Sequence, residues 1–225
     1  IIPFFFLLFS LSLYCQTINL GNPLSWNGKV SLQNIPEKTM TGFNKSTVDS
    51  EDIINDALKD RPWRFGYKYD VNYSLNNSGS WKVLPNGDKI WQLAIECQGA
   101  LTVNLLFQNF YLPKGAYLYL YDIDRTNRVG AYTSNNNRID GELGSELVHG
   151  EKIIVEYFEP AEVKDNGRFT ISNVIHGYRT LAPIEKNLVR ALNSSGDCNI
   201  DVNCPLGNGW DSEIRSVAMI VVGGS

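Results

Sequence analysis

Short hydrophobic runs of strand length dominate the sequence between residues 63 and 176, and in 91–97 and 101–107 apolar residues alternate with polar or small ones. The runs cover residues 91–97, 101–107, 117–121, 153–158 and 169–175. Turn signals join or bound them at Asn86-Gly87, at 113–115 and at 165–167. Alternation of period two is typical of strands with one buried face, and almost no helical period separates these runs. The sequence therefore predicts an all-β fold, an antiparallel β-sandwich over residues 63–182.

One short helix is predicted upstream, within an extended arm over residues 17–62. Asp49 and Ser50 are good N-cap residues, Lys59 lies in the last turn, and Pro62 ends the helix. The predicted apolar stripe comprises Ile53, Ile54, Ala57 and Leu58. Five carboxylates could be taken for a metal site, but a capped, solvated helix face explains them better: Asp49, Glu51, Asp52, Asp56 and Asp60.

Composition restricts the class of function. With 43% hydrophobic and 20% charged residues, the chain can bury a core. The 20 Lys and Arg against 24 Asp and Glu give a net charge of −4, which argues against binding to nucleic-acid phosphates. With 2 histidines and 4 cysteines, metal ligands and nucleophile–base pairs are scarce. The sequence predicts no metal site and no cofactor, and it argues against a self-contained hydrolase.

Residues 1–16 form an apolar segment without a charged side chain. A membrane-spanning helix needs about 20 residues, so the segment fits the core of a secretory signal peptide whose charged start precedes residue 1. We expect cleavage near Cys15 and Gln16, and export without a stable membrane anchor. A lipid anchor on Cys15 is an alternative that the bulky Tyr14 disfavours, and a buried N-terminal strand is another.

The C-terminal part changes character twice. Residues 183–197 lack strand alternation and end in small polar residues, which is typical of an exposed connector. Residues 217–222 are continuously apolar, as in a strand buried on both faces. Such a strand needs neighbours, so we expect residues 198–225 to be the beginning of a further domain.

The cysteines leave several pairings open. Cys198 and Cys204 should be oxidised in an exported chain, either with each other or each with a distant cysteine. Cys97 is the other cysteine downstream of the predicted signal, but its place in a strand is typical of a small buried hydrophobe. Zinc is disfavoured because no Cys-x-x-Cys pair is present.

A family resemblance rests on specific stretches of this sequence. The segment CNIDVNCPLGNGW at 198–210, followed by IRSVA at 214–218, resembles the start of the mature domain of bacterial lysyl endopeptidases. These are secreted serine proteases with a chymotrypsin-like double β-barrel. Looser similarities to their propeptides lie at 62–66 (PWRFG), 87–91 (GDKIW), 112–116 (LPKGA), 120–122 (LYD) and 176–179 (HGYR). The resemblance covers roughly residues 60–225.

The resemblance implies roles for a few residues. Cys198 and Cys204 would pair with cysteines beyond residue 225, and the propeptide would be removed by cleavage. Lys186 and Arg190 are the basic residues nearest the boundary, although the resemblance places the mature start near Asn193. No catalytic residue is assigned. His149 and His176 lack the family's catalytic context, and the Ser-Ser-Gly at 194–196 lacks the preceding glycine of a nucleophile loop.

The leading hypothesis is the N-terminal portion of a secreted endopeptidase zymogen. Its parts are a signal peptide at 1–16, the arm and helix at 17–62, a β-sandwich pro-domain at 63–182, a connector at 183–197 and the first strand of a chymotrypsin-like barrel at 198–225. Its partners would be its own protease domain and, for the full-length enzyme, protein substrates. The rival is a secreted adhesion or carbohydrate-binding module that stacks ligand on five aromatic residues: Tyr117, Tyr119, Tyr121, Trp81 and Trp91.

Overall fold

The computed structural model of the chain describes residues 21–28, 34–58 and 62–179. Its strands are β1 (Glu37–Thr39), β2 (Gly66–Ser74), β3 (Ser80–Val83), β4 (Lys89–Glu96), β5 (Thr102–Tyr111), β6 (Tyr117–Asp122), β7 (Arg128–Tyr132), β8 (Leu143–Gly144), β9 (Val148–His149), β10 (Lys152–Glu159) and β11 (Arg168–Gly177). Helix α1 spans Lys45–Leu58, and short 3-10 helices lie at Leu24–Asn27, Ser134–Asn136 and Ala161–Val163.

The strands form two sheets. A 6-stranded sheet has the order β1-β4-β10-β6-β7, with β3 also pairing with β4. A 5-stranded sheet has the order β2-β11-β5-β8, with β9 also pairing with β5. Adjacent strands are antiparallel except β1 and β4, which are parallel. The predicted all-β sandwich with one short helix is confirmed over the described residues.

The hydrophobic core lies between the two sheets, because its main cluster takes residues from both. Trp91, Leu93, Ile95 and Cys97 are each 0% exposed, so the alternation in the sequence marks the inward face of β4. On β5, the alternating residues Val103, Leu105 and Phe107 are also buried. Leu101 lies just outside the strand and is 47% exposed. Period-two patterning thus predicted the inward faces of β4 and β5, but not that β4 is buried on its outer face as well.

Helix α1 differs from its prediction at both its start and its buried face. It begins at Lys45, where the Asn44 side chain accepts a hydrogen bond from the Thr47 amide at 3.2 Å. Asp49 and Ser50 therefore lie inside the helix and do not cap it. The predicted apolar stripe faces solvent: Ile53 is 73% exposed, and Ile54 and Leu58 are each 60% exposed. The buried positions are Val48 and Asp52, so the predicted solvated carboxylate face is wrong for Asp52.

The described part of the N-terminal arm is packed against the sandwich. β1 extends the 6-stranded sheet by pairing with β4, and the 3-10 helix at Leu24–Asn27 covers the outer face of that sheet. There the fully buried Glu156 accepts hydrogen bonds from the Ser25 amide at 3.2 Å, Gln92 Nε2 at 2.9 Å and the Tyr121 hydroxyl at 2.8 Å. The arm is therefore part of the folded domain.

Several predicted features lie outside the described residues. They are the signal cleavage region at Cys15 and Gln16, the processing candidates Lys186 and Arg190, the cysteines Cys198 and Cys204, and the predicted protease strand in 198–225. These remain predictions.

Candidate functional sites at the two ends of the sandwich

Strands β2 and β11 connect two polar regions of different construction. The two strands are antiparallel, with Gly177 opposite Gly66 at one end and Thr170 opposite Ser74 at the other. The 10 residues of β11 span roughly 30 Å at ~3.3 Å per residue. We call the first region the exit cluster, since the described chain ends there: Asp52, Asp56, Trp63, Arg64, Tyr178 and Arg179. We call the second the Trp81 cavity, after the indole that lines it.

The exit cluster is centred on the carboxylate of Asp52, which is 4% exposed. Arg64 Nε donates to its Oδ1 at 2.7 Å, and the Tyr178 hydroxyl donates to its Oδ2 at 2.7 Å. Arg179 Nη2 lies 3.4 Å from the same Oδ2. Burial, together with the hydrogen bond to this carboxylate, raises the pKa of Tyr178. A buried charge is tolerable here because two guanidinium groups and a phenol surround it.

Two sequence stretches meet in the exit cluster although they lie more than 100 positions apart. The guanidinium of Arg179 stacks on Trp63, 4.6 Å from the ring centroid, and its Nε donates to the Arg64 carbonyl at 2.8 Å. The amides of Tyr178 and Arg179 each donate to the Phe65 carbonyl at 3.1 Å. The stretches 62–66 and 176–179, both singled out above, are thus one structural unit. Sequence reasoning found each stretch but not their contact.

Helix α1 is joined to the same unit by ion pairs. Arg179 Nη1 lies 2.6 Å from Asp56 Oδ2, and Arg64 Nη1 lies 3.0 Å from Glu51 Oε2. On a helix of 3.6 residues per turn, Ile54 and Ala57 lie on the side opposite Asp52 and Val48, and Ile53 and Leu58 flank them. The cluster therefore fixes the helix so that its apolar side points away from the sandwich.

Neither histidine is placed as a catalytic base. His176 is 7% exposed and packs edge-on against Phe43, with ring centroids 5.0 Å apart. Burial lowers the pKa of His176, which favours the neutral ring. His149 is exposed and ends the short strand β9. The Cys97 thiol is fully buried, and burial raises its pKa to about 12, which keeps it protonated and unreactive.

The Trp81 cavity lies at the other end of β2 and β11 and has a volume of about 460 Å³. Its polar and aromatic lining includes Asn76, Trp81, Asn109, Glu159, Asp165 and Arg168. Ser74 and Thr170, at the ends of the paired strands, add hydroxyl groups. Sequence reasoning pointed to Trp81 but to no other residue of this cavity as a ligand contact.

One side of the cavity is held by Glu159, which is 1% exposed. Its carboxylate accepts hydrogen bonds from the Asp165 amide at 2.7 Å, the Gly167 amide at 2.9 Å and the Tyr157 hydroxyl at 2.8 Å. A Cβ on Gly167 would lie 1.8 Å from that hydroxyl, so the turn requires glycine. Glu159 therefore holds the loop in place through these three hydrogen bonds.

The Trp81 indole is fixed from several directions. Its Nε1 donates to the Leu75 carbonyl at 3.1 Å, and Tyr157 packs edge-on with centroids 5.9 Å apart. Lys89 Nζ lies 4.7 Å from the ring centroid and 2.5 Å from Asp165 Oδ1. The half-buried ring is thus a rigid part of the cavity lining.

The five aromatic residues proposed as one stacking surface lie on different faces. Trp91 is in the core between the sheets and Trp81 packs against that core. Tyr119 and Tyr121 are buried on the outer face of the 6-stranded sheet, with Tyr117 packed beside them. No continuous platform of these five side chains exists.

Comparison with known proteins gives little. No protein-family model matches the sequence. Among solved structures, the insecticidal crystal protein Cry2Aa aligns at a TM-score of 0.26 and 8% sequence identity, over 50% of this chain and 21% of that chain. The match thus spans about a fifth of the toxin chain, and a similarity at this level carries no inference about function.

Two further findings concern residues 21–28, 34–58 and 62–179 alone. No helix there has the length and apolar composition needed to cross a lipid bilayer. Within the same ranges, no three His, Cys, Asp or Glu side chains are grouped so that they could hold a metal ion.

Proposed function

We propose that this chain is the N-terminal part of a secreted serine endopeptidase precursor similar to lysyl endopeptidases, and that its sandwich is the pro-domain. One observation carries the proposal. The stretches 62–66 and 176–179 resemble propeptide motifs, and they form one contact unit where the chain continues toward the segment that resembles a protease. A pro-domain needs a defined attachment point for the region that follows it, and the exit cluster supplies one.

The outward side of α1 is the contact surface that we assign to the downstream region, residues 198–225. Three large aliphatic side chains are exposed on this helix, and Arg179, the last described residue, is paired with Asp56 of the same helix. An exposed apolar patch is typical of a protein–protein contact. The chain after Arg179 therefore starts beside α1, whose outward side is suited to the apolar segment 217–222.

Contact with this surface would assist folding of the protease. A barrel built from long-range strand pairs folds slowly and exposes apolar edges while it does so. An ordered module that covers such an edge raises the yield of folded enzyme. Cleavage in the connector would then release the product.

The first test deletes residues 17–190 from the full precursor gene, keeping the signal and the complete downstream coding sequence. We expect secretion of active endopeptidase to be lost, and to return when the sandwich is expressed as a separate chain. Equal yields of active enzyme with and without the sandwich would overturn the folding role. A coding sequence after residue 225 without a protease-type His-Cys motif would overturn the assignment as a whole.

A second test addresses the surface itself with matched variants. Ile54→Asp places a charge on the outward side of α1, whereas Ile139→Asp alters a fully exposed isoleucine in the loop before β8. We expect Ile54→Asp to reduce the yield of active enzyme about tenfold, since ~1.4 kcal/mol corresponds to that factor. Ile139→Asp should leave the yield unchanged, and equal yields for the two variants would show that α1 is not the contact surface.

A further inference from the structure

We propose that the Trp81 cavity is a binding site for a short neutral oligosaccharide. This inference does not depend on the pro-domain function, because the cavity lies at the end of the sandwich opposite the exit cluster. Its volume of about 460 Å³ lies within the range of small-ligand sites. A cavity of this size accommodates one or two sugar rings.

The indole of Trp81 provides the apolar contact. A sugar ring presents aliphatic C–H groups on one face, and these pack against the electron-rich face of an aromatic ring. Trp81 is half-buried and fixed by the Leu75 carbonyl and by Tyr157. Lys89 Nζ lies over the ring, 4.7 Å from its centroid, but it does not line the cavity, so a ligand would contact the part of the indole that does. A preorganised ring loses little side-chain entropy on binding.

The charges around the cavity are balanced, which favours an uncharged ligand. Glu159 accepts hydrogen bonds from three donors, and Asp165 is paired with Lys89. The Arg168 guanidinium lies over Tyr111, 4.5 Å from the ring centroid. An anionic ligand would meet the two carboxylates, and a cationic one would meet Arg168. Neither sign of charge is therefore favoured.

The remaining polar groups suit hydroxyl recognition. Asn76 and Asn109 line the cavity with amides, which both donate and accept hydrogen bonds, and Ser74 and Thr170 add hydroxyls. A polyhydroxylated ring offers the same mixture of donors and acceptors. Apolar stacking combined with neutral hydrogen-bonding groups thus identifies sugars as the ligand class.

The test uses the full secreted chain and four defined probes: cellotetraose, chitotetraose, maltotetraose and the anionic tetragalacturonate. Binding is measured by calorimetry and by quenching of tryptophan fluorescence. We expect at least one neutral tetrasaccharide to bind and tetragalacturonate to bind more weakly. No binding of any neutral probe, or tighter binding of the anionic one, would overturn the proposal.

Variants locate the binding. Trp81→Ala should weaken it at least tenfold, and Asn76→Ala, an exposed change that leaves the core intact, should weaken it about fivefold. Trp63→Ala removes a tryptophan at the opposite end and should leave affinity unchanged. Thermal unfolding of each variant checks its folding. If Asn76→Ala and Trp81→Ala both bind as tightly as the unmodified chain, the cavity is not the site.

Discussion

The two ends of strands β2 and β11 each contain a nearly buried carboxylate, and the two carboxylates are satisfied in different ways. Asp52 in the exit cluster takes one partner from Arg64, 12 positions away, and two from Tyr178 and Arg179 at the other end of the domain sequence. Glu159 in the Trp81 cavity takes its partners from its own strand and the adjoining loop. Bonds to distant segments fix the chain at the exit end, whereas bonds to a local loop leave space beside them. Both ends contain a buried charge, but at the exit end it fixes distant segments together, whereas at the other end it leaves a cavity.

The largest expected effect tests the exit end. Asp52→Ala leaves two guanidinium groups without their central carboxylate, so we expect the free energy of unfolding to fall by about 3 kcal/mol. The control is Asp49→Ala, which removes the exposed pair with Lys45 on the same helix and should cost less than about 0.5 kcal/mol. Urea denaturation measures both, and similar losses would show that the exit cluster contributes no special stability.

A smaller effect tests the cavity end. Gly167→Ala places a methyl group against the Tyr157 hydroxyl and 2.8 Å from Glu159 Oε2, so the loop must shift. We expect a loss of about 2 kcal/mol, within the usual cost of overpacking. Gly42→Ala, where a Cβ has no neighbour within 4 Å, is the matched control. A thermal midpoint of Gly167→Ala equal to that of the control would show that Glu159 does not hold this loop.

The smallest expected effect is a pH dependence near the exit end. Burial lowers the pKa of His176 below 6.5 in the folded chain, so the unfolded chain takes up a proton first as the pH falls. Stability is therefore full above the unfolded pKa and declines as the pH falls from 6.5 toward the folded pKa. We expect His176→Phe to flatten the decline measured by urea denaturation, while His149→Gln, an exposed change, keeps it. An unaltered slope in His176→Phe would contradict this account.

Local patterns predicted the strands well because neighbouring residues of a strand point to opposite faces, so that the inward face appears in the sequence as an alternation. Trp91, Leu93 and Ile95 show this, since their alternation alone placed them in the core. The cap of α1 could also be predicted from the sequence. Asn44 lies directly before the helix, and its side chain can accept hydrogen bonds from the Ser46 hydroxyl and the Thr47 amide. Asp49 and Ser50 fit the same N-cap preference, so residue type alone does not separate the two possible helix starts.

The sites could not be predicted in the same way. Asp52 and Tyr178 are 126 positions apart, and no local pattern marks them as partners. Periodicity identified which apolar residues of α1 share a side. It did not show that the opposite side is the buried one, because that side is held by the paired carboxylate of Asp52. The cavity likewise needs the loop after β10 to meet the end of β2, which depends on the register of β11 between them.

The first described segments of the chain bond to residues that come much later in the sequence. Ser25 bonds to Glu156, a separation of 131 positions, and β1 pairs with β4 from Glu37 opposite Ala94. Because a polypeptide is made from its amino end, both segments must wait for partners still to be synthesised. Residues 24–27 therefore cannot close the outer face of the 6-stranded sheet until Glu156 has been synthesised, so that closure follows synthesis of β10.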